Sequence, residues 1–166
     1  MPIDGDEKSG WKPGKPALFV GTRNDEQDAV FSPDGRWIAY ESRASGRAEV
    51  VVRPFPGPGG QWQISTAGGS GAMWSQTPGQ LFYLASDNRI MVVSYKVEGE
   101  SFKAEKPPVW SQQAVLRRPR RRSVDLDPEG ERFAVAVETT PSENKPERFV
   151  FVFNFLDELR RLAPKF

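Results

Sequence analysis

The stretch FSPDGRWIAY, from Phe31 to Tyr40, decides the fold class because a turn signature precedes an apolar run. In Ser32-Pro33-Asp34-Gly35, proline presets φ at the first central position, aspartate caps the turn, and glycine supplies a left-handed conformation. A phosphate loop would need a Gly-Lys-Ser type of sequence before a helix, and an EF-hand calcium loop would need several alternating carboxylates. The stretch therefore predicts a hinge between two strands.

The same pattern occurs three times along the chain. Its turn prolines, Pro33, Pro78 and Pro128, are 45 and 50 residues apart. Each turn is followed by an apolar run such as Trp37–Tyr40, then by a polar loop and a second run rich in Val or Phe. The runs alternate or are continuously apolar, which indicates strands and not helices. A period of this length is typical of four-stranded β-propeller blades, whose strands are covered on both faces.

The repeats predict an all-β fold of three four-stranded antiparallel blades, with strands a to d counted from the inside out. The blades are predicted at residues 22–65, 66–112 and 113–155. The third repeat stops after its c strand, RFVFVFNF, whereas WKPGKPALFVG precedes the first repeat and has the spacing of FKAEKPPVWSQ. Residues 1–21 are therefore predicted to supply the missing outer strand. Residues 156–166 are predicted to form a short C-terminal helix and tail.

Longer stretches carry a family resemblance. EVVVRPFPGPGGQWQIS (Glu49–Ser65), the GG pair that follows it, MWSQTPGQLFY from Met73 and the ending VFVFNFLDELRRLAP resemble, with the SPDG-type hairpin, the TolB-like (WD-like) β-propeller family. They are similar to the C-terminal propeller portion of bacterial Ser/Thr kinase or regulator proteins. Two departures are Phe155, where the family usually has tryptophan, and the third turn, Asp127-Pro128-Glu129-Gly130. The resemblance implies recognition of a protein or small ligand at the propeller face, and we expect the module to be non-enzymatic.

Such a partner would bind on the propeller face that bears the d–a and b–c connections. The run RRPRRR lies in one of these loops, and arginine binds carboxylates and phosphates bidentately. A solvated loop is the plainest interpretation of the run, and an acidic protein partner comes next. Nucleic acid comes last, because no aromatic residue interrupts the run and no basic stripe extends it. The candidate partner-binding residues are Arg117, Arg118, Arg120, Arg121, Arg122, Arg23, Asp25, Arg43 and Arg47.

Three blades do not readily close a ring, because propellers usually have four to eight. We expect a homodimer that forms a six-bladed ring, in which the N-terminal strand of one chain completes the third blade of the other. An unpaired apolar edge strand would favour aggregation, so closure has a physical motive. A fragment of a longer propeller and another oligomer are the alternatives. The residues predicted to form the closure are Leu18, Phe19, Val20, Phe149, Phe151 and Phe153.

The chain contains no cysteine and no histidine. The usual zinc sites and the Ser-His-Asp type of catalytic machinery are therefore excluded, and no cofactor or metal is predicted. Asp25, Glu26 and Asp28 lie in one loop, as in a weak calcium site or a solvated turn, and Asp87 lies in another. A propeller hydrolase or lyase that acts on a carbohydrate is the enzyme alternative.

The 23 basic and 22 acidic residues give the whole molecule no electrostatic attraction to nucleic acid or membrane. The longest apolar run, FVFVF, is far below the roughly 20 residues of a membrane helix. The beginning, MPIDGDEKSG, lacks the basic and then apolar pattern of a signal peptide. The compartment is left open: cytoplasmic for the chain as written, periplasmic if it belongs to an exported parent protein.

Overall fold

The structure, a computed structural model, describes residues 1–57, 59–116, 123–127, 130 and 132–136. Within these residues the chain is all-β, with thirteen strands, antiparallel pairing throughout and no helix. The predicted all-β class is confirmed. Because the described part contains no helix, it also contains none that could cross a membrane. The predicted C-terminal helix lies outside the described residues.

A short hairpin and a four-stranded sheet begin the fold. Strands β1 (Ile3–Asp4) and β2 (Lys12–Pro13) pair with each other and are exposed. The first sheet contains β3 (Glu26–Phe31), β4 (Trp37–Ser42), β5 (Glu49–Pro54) and β6 (Trp62–Gln63), in the same order as in the chain. All of β4 is buried because both faces of this central strand are covered.

The turn between β3 and β4 is the Ser32–Gly35 hinge, as the sequence predicts. The Ser32 N–H donates to the Trp37 carbonyl at 2.8 Å, and the Gly35 N–H donates to the Ser32 carbonyl at 2.9 Å. The Asp34 carboxylate accepts hydrogen bonds from Ser32 Oγ at 2.6 Å and from the Arg36 N–H at 3.1 Å. Gly35 has a φ of 68°, which is the left-handed conformation predicted from the turn sequence.

The second sheet has the same order of strands but a divided outer edge. It contains β7 (Gly69–Trp74), β8 (Gln80–Ala85), β9 (Arg89–Glu98), β10 (Ser101–Ala104) and β11 (Val109–Ala114). The long strand β9 pairs with β8 on one side, and with both β10 and β11 on the other. β10 and β11 therefore share the position of a fourth, outer strand.

The final described strands are β12 (Val124–Leu126) and β13 (Phe133–Val135), which form an antiparallel pair. They lie against the side of the second sheet that faces away from the first. Phe82 is fully buried there, and its ring centroid lies 5.1 Å from that of Phe133. This cluster comprises Met73, Phe82, Leu84, Ile90, Val115 and Val124, with Val92, Leu126 and Phe133 packed against it.

The largest apolar cluster fills the space between the first and second sheets. β7 packs against β3, β4 and β5, so the edge strand of the second sheet crosses the face of the first. Trp74 Nε1 donates to the Val30 carbonyl at 3.2 Å and fixes this crossing with a hydrogen bond. The cluster comprises Trp37, Ala39, Val50, Val52, Ile64, Ala72, Trp74, Leu81, Tyr83, Val93 and Phe102.

The outer face of the first sheet is covered in part by the N-terminal segment. Phe19 and Val20 are half-buried and pack against Ile38, Tyr40 and Val51 of their own chain. Residues 16–20 form no strand in this structure, and Leu18 is 85% exposed. Their predicted partners Phe149, Phe151 and Phe153 lie outside the described residues.

The hinge gives a test of the turn geometry. A Cβ added at Gly35 would meet no atom within 4 Å, so Gly35→Ala changes only the backbone energy. We expect Gly35→Ala to lower the free energy of unfolding by about 1–2 kcal/mol, because alanine disfavours positive φ. Gly35→Asn should recover much of the loss, since asparagine tolerates this conformation. Urea unfolding of the three proteins measures this, and equal stability of the alanine variant and the parent would contradict it.

Candidate functional site

The ends of the strands form a surface, here called the loop face, that includes residues 23–25, 43–48, 66–68 and 86–88. Arg23, Asp25, Arg43 and Arg47, which the sequence predicts as partner-binding residues, all lie on it and are exposed. The Arg43 N–H donates to the Asp25 carbonyl at 3.2 Å, so these two loops are adjacent. The strand topology therefore brings these four residues to one end of the first sheet.

Arg47 joins the loop at residues 43–48 to the connection at residues 66–68. Its Nε lies 2.7 Å from Glu49 Oε1, and its Nη2 donates to the Thr66 carbonyl. The Gly69 N–H donates to the Ala48 carbonyl at 3.0 Å. The start of the second sheet is thus attached to the loop face of the first, and the loop faces of both sheets lie at the same end.

Two glutamates at this end point into the protein. Glu41 is 1% and Glu49 is 2% exposed. Glu41 Oε1 accepts a hydrogen bond from the Gly71 N–H at 2.8 Å, and Glu49 Oε1 accepts one from the Gly68 N–H at 3.0 Å. Both carboxylates therefore bind backbone of the second sheet instead of solvent. Sequence reasoning missed them, because their positions in apolar strands give no signal that they bridge two sheets.

The charge of Glu49 also affects a neighbouring core residue. Ser65 Oγ donates to Glu49 Oε2, and the same hydroxyl accepts from the Val50 N–H at 2.8 Å. Burial, followed by the charge of Glu49, raises the pKa of Tyr83. Tyr83 is therefore kept as the neutral phenol beneath the loop face.

The acidic residues that the sequence suggests for calcium binding or catalysis do not share one loop: Asp25 precedes β3, Glu26 and Asp28 lie within it, and Asp87 lies between β8 and β9. Glu26 Oε1 accepts hydrogen bonds from Thr22 Oγ1 at 2.7 Å and Ser42 Oγ at 3.2 Å. Asp87 forms an ion pair with Arg89 at 2.6 Å, and the hydrogen bond from the Arg89 side chain lowers the pKa of Asp87. In the described ranges, no group of three or more acidic residues is arranged to hold a metal ion.

The run Arg117, Arg118, Arg120, Arg121 and Arg122 lies outside the described residues, but the residues on either side of it are described. The Leu116 N–H donates to the Ala136 carbonyl at 2.7 Å, and the Ala136 N–H donates to the Ser123 carbonyl at 2.9 Å. The Val115 N–H donates to the Asn88 carbonyl at 2.9 Å. Leu116 and Ser123, the described residues on either side of the run, are therefore both bonded to Ala136.

A cleft opens at the opposite end of the strands. Its walls are the start of β4, the loop between β5 and β6, and the β9–β10 hairpin, and its volume is about 590 Å³. Arg36 Nη2 donates to the Gly99 carbonyl at 3.4 Å and joins the two sheets at the rim. Residues of the PFPGPGG segment line this cleft, and a Cβ added at Gly60 would lie 3.1 Å from the Trp62 ring.

Comparison with known proteins adds no relative. No family model matches the sequence, and searches of curated proteins and of solved structures find no match. The resemblance to TolB-like propellers is therefore carried by the residues quoted above alone.

The buried carboxylate of Glu49 provides a test of how the loop face is held. Glu49→Gln removes the charge that binds Arg47 and turns an amide towards the Ser65 and Gly68 donors. We expect it to lower the free energy of unfolding by about 2 kcal/mol, because buried donors lose a charged acceptor. The matched control Glu98→Gln breaks an exposed ion pair with Lys103 and should cost about 0.5 kcal/mol or less. Equal losses in urea unfolding would show that Glu49 has no special role.

Proposed function

We propose that this protein is a non-enzymatic β-propeller module whose loop face binds an acidic protein surface. The observation that carries the proposal is the separation of charges at the loop face. Arg23 and Arg43 are exposed, whereas Glu41 and Glu49 are turned inward and bind backbone N–H groups. Because these two carboxylates are buried, the surface that a partner would contact is more basic than the composition of this part of the sequence suggests.

The wider architecture supports the propeller part of this proposal. Two sheets with the strand order of the chain pack face to face, and a third pair of strands packs on the far side of the second sheet. Each of the first two sheets has apolar residues on both faces. Successive antiparallel sheets stacked in this way are typical of propeller blades.

We expect an oligoglutamate peptide to bind the loop face, with the affinity measured by calorimetry at low salt. Arg23→Glu combined with Arg43→Glu should weaken binding about tenfold, because two favourable contacts become repulsive. Lys96→Glu combined with Lys106→Glu makes the same charge change away from the loop face and should alter the affinity less than about twofold. Equal losses in the two double variants would overturn the assignment.

Two further assays separate the rival functions. A single-stranded oligonucleotide that binds more tightly than the peptide, with steep salt dependence, would favour phosphate or nucleic-acid binding through Arg117–Arg122. Release of reducing sugar from a panel of glycans would instead favour a carbohydrate-active hydrolase or lyase.

We also propose that two chains close a six-bladed ring by exchanging their N-terminal strands. The uncovered part of the first sheet supports a second copy: Phe31 is 56% and Phe55 is 41% exposed on its outer face. Their ring centroids are 4.9 Å apart, and that of Phe19 lies 5.7 Å from Phe55. Exchange would move residues 16–20 from this face to the edge formed by Phe149, Phe151 and Phe153 of the partner subunit.

Light scattering on a sizing column tests the ring. We expect a mass of twice 18.6 kDa. Leu18→Arg should shift the protein towards monomer, because the exposed Leu18 becomes buried on exchange. Ile3→Arg, a matched change at another exposed residue outside the exchanged strand, should leave the dimer intact. A parent protein that is monomeric at all concentrations would overturn the ring.

A further inference from the structure

The outer face of the first sheet repeats the face with which the second sheet packs on the first. The strands of the two sheets pair in the same register, so residues of the two faces can be matched one by one. The matched pairs are Phe31 with Trp74, Ile38 with Leu81, and Tyr40 with Tyr83. The members from the second sheet are buried against the first sheet, whereas Phe19 and Val20 of the same chain cover part of the outer face. The outer face therefore has the residues needed to receive another sheet.

A carboxylate accepts a hydroxyl hydrogen bond at the same place on both faces, but it comes from different sheets. At the interface between the sheets, Ser65 Oγ, which precedes the second sheet, donates to Glu49 of the first. On the outer face, Thr22 Oγ1 donates to Glu26 Oε1 at 2.7 Å within the first sheet and the residues that lead into it. Thr22 precedes Glu26 by the same four residues by which Ser65 precedes Gly69, the match of Glu26. Glu26 therefore takes the place that Glu49 fills at the interface.

Two further observations support this match. A Cβ added at Gly69 would lie 2.4 Å from the serine hydroxyl that donates to Glu49, so the second sheet has no room for a side chain of its own there. Burial, followed by the charge of Glu49, raises the pKa of Tyr83, and burial, followed by the charge of Glu26, raises the pKa of Tyr40. Each tyrosine thus has one glutamate beside it, from the neighbouring sheet in one case and from its own sheet in the other.

The charge of Glu26 restricts which sheet can pack on the outer face. Glu26 Oε2 is buried without a hydrogen-bond partner among the described residues, and the ion pairs among these residues do not include Glu26. A docked sheet with a glutamate at the position of Glu49 would place two carboxylates together, and their repulsion would oppose docking. An arginine at that position would instead supply donors and a compensating charge.

The other two repeats have arginine at the position of Glu49. The strand registers match Arg89, the first residue of β9, with Glu49, the first residue of β5. Arg89 is already paired with Asp87 of its own sheet. In the third repeat the run RFVFV begins at Arg148, as RIMVV begins at Arg89 and EVVV at Glu49. Arg148 lies outside the described residues, and its position in the repeat makes it the matching residue of the third blade.

We propose that the outer face of the first sheet selects the third repeat of a second chain, and that Arg148 of the partner subunit pairs with Glu26. This contact rests on the six-bladed ring proposed above, in which the third blade of one chain precedes the first sheet of the other. Residues 16–20 leave the outer face on exchange and so open the way to Glu26. The guanidinium then donates to Oε2, while Thr22 and Ser42 keep their hydrogen bonds to Oε1. The ion pair excludes a second copy of the first sheet, because its own glutamate would then meet Glu26.

Exchange of the two charges tests the pair. Arg148→Glu should raise the dissociation constant of the dimer at least about tenfold, because two carboxylates then meet. Glu26→Lys in the same chain as Arg148→Glu should restore the constant to within about threefold of the parent value, since the pair is re-formed with its charges reversed. Lys96→Glu, the same change of charge at an exposed residue of β9, should alter the constant less than about twofold. Sedimentation at several protein concentrations measures all four proteins.

The outcomes separate this contact from the ring itself. A monomeric parent protein would overturn the ring and the contact together. A dimeric parent whose affinity is unchanged by Arg148→Glu, or not restored by the double variant, would overturn the contact and leave the ring standing. If Glu26→Lys does not fold, Glu26→Gln and Arg148→Gln complete a double-mutant cycle in its place. Strictly additive losses of affinity in that cycle would also overturn the contact.

Discussion

The layer of side chains between the first and second sheets is the constraint on which the rest of the structure depends. Trp37, Val50 and Val52 from one sheet meet Leu81, Val93 and Phe102 from the other, and all six are buried. The loss of this apolar area from water provides the main driving force for the two sheets to pack. Because β7 packs against three strands of the first sheet, this layer also positions the start of the second sheet.

Polar groups make this apolar packing specific. A sheet interface without directional bonds could slide, but Glu41 and Glu49 hold the start of the second sheet through the N–H groups of Gly71 and Gly68. The Trp74 indole adds a third bond across the interface. The same bonds withdraw two negative charges from the loop face. The polar contacts that align the sheets therefore also determine the charge of the surface that we propose as a binding site.

The two ends of the strands consequently differ in chemistry. At the loop face, Arg23, Arg43 and Arg47 are exposed on short connections, whereas Glu41 and Glu49 are buried. At the opposite end, Trp37 and Trp62 help to line a cleft between the two sheets. This division arises because all connections of one kind meet at the same end of an antiparallel stack.

The sequence by itself determined the strand class and the hinge, because alternation and turn chemistry are local properties of the chain. Pro33, Asp34 and Gly35 favour a turn through their own backbone preferences. The four consecutive apolar residues Trp37–Tyr40 indicate a strand that is covered on both faces. The sequence also predicted that Arg43 and Arg47 lie in a connection between two strands. Only the tertiary structure decided that Glu49 is buried, that the Trp37 indole has no acceptor among the described residues, and that Phe19 lies on the first sheet. These properties depend on contacts between residues far apart in sequence, which no local pattern encodes.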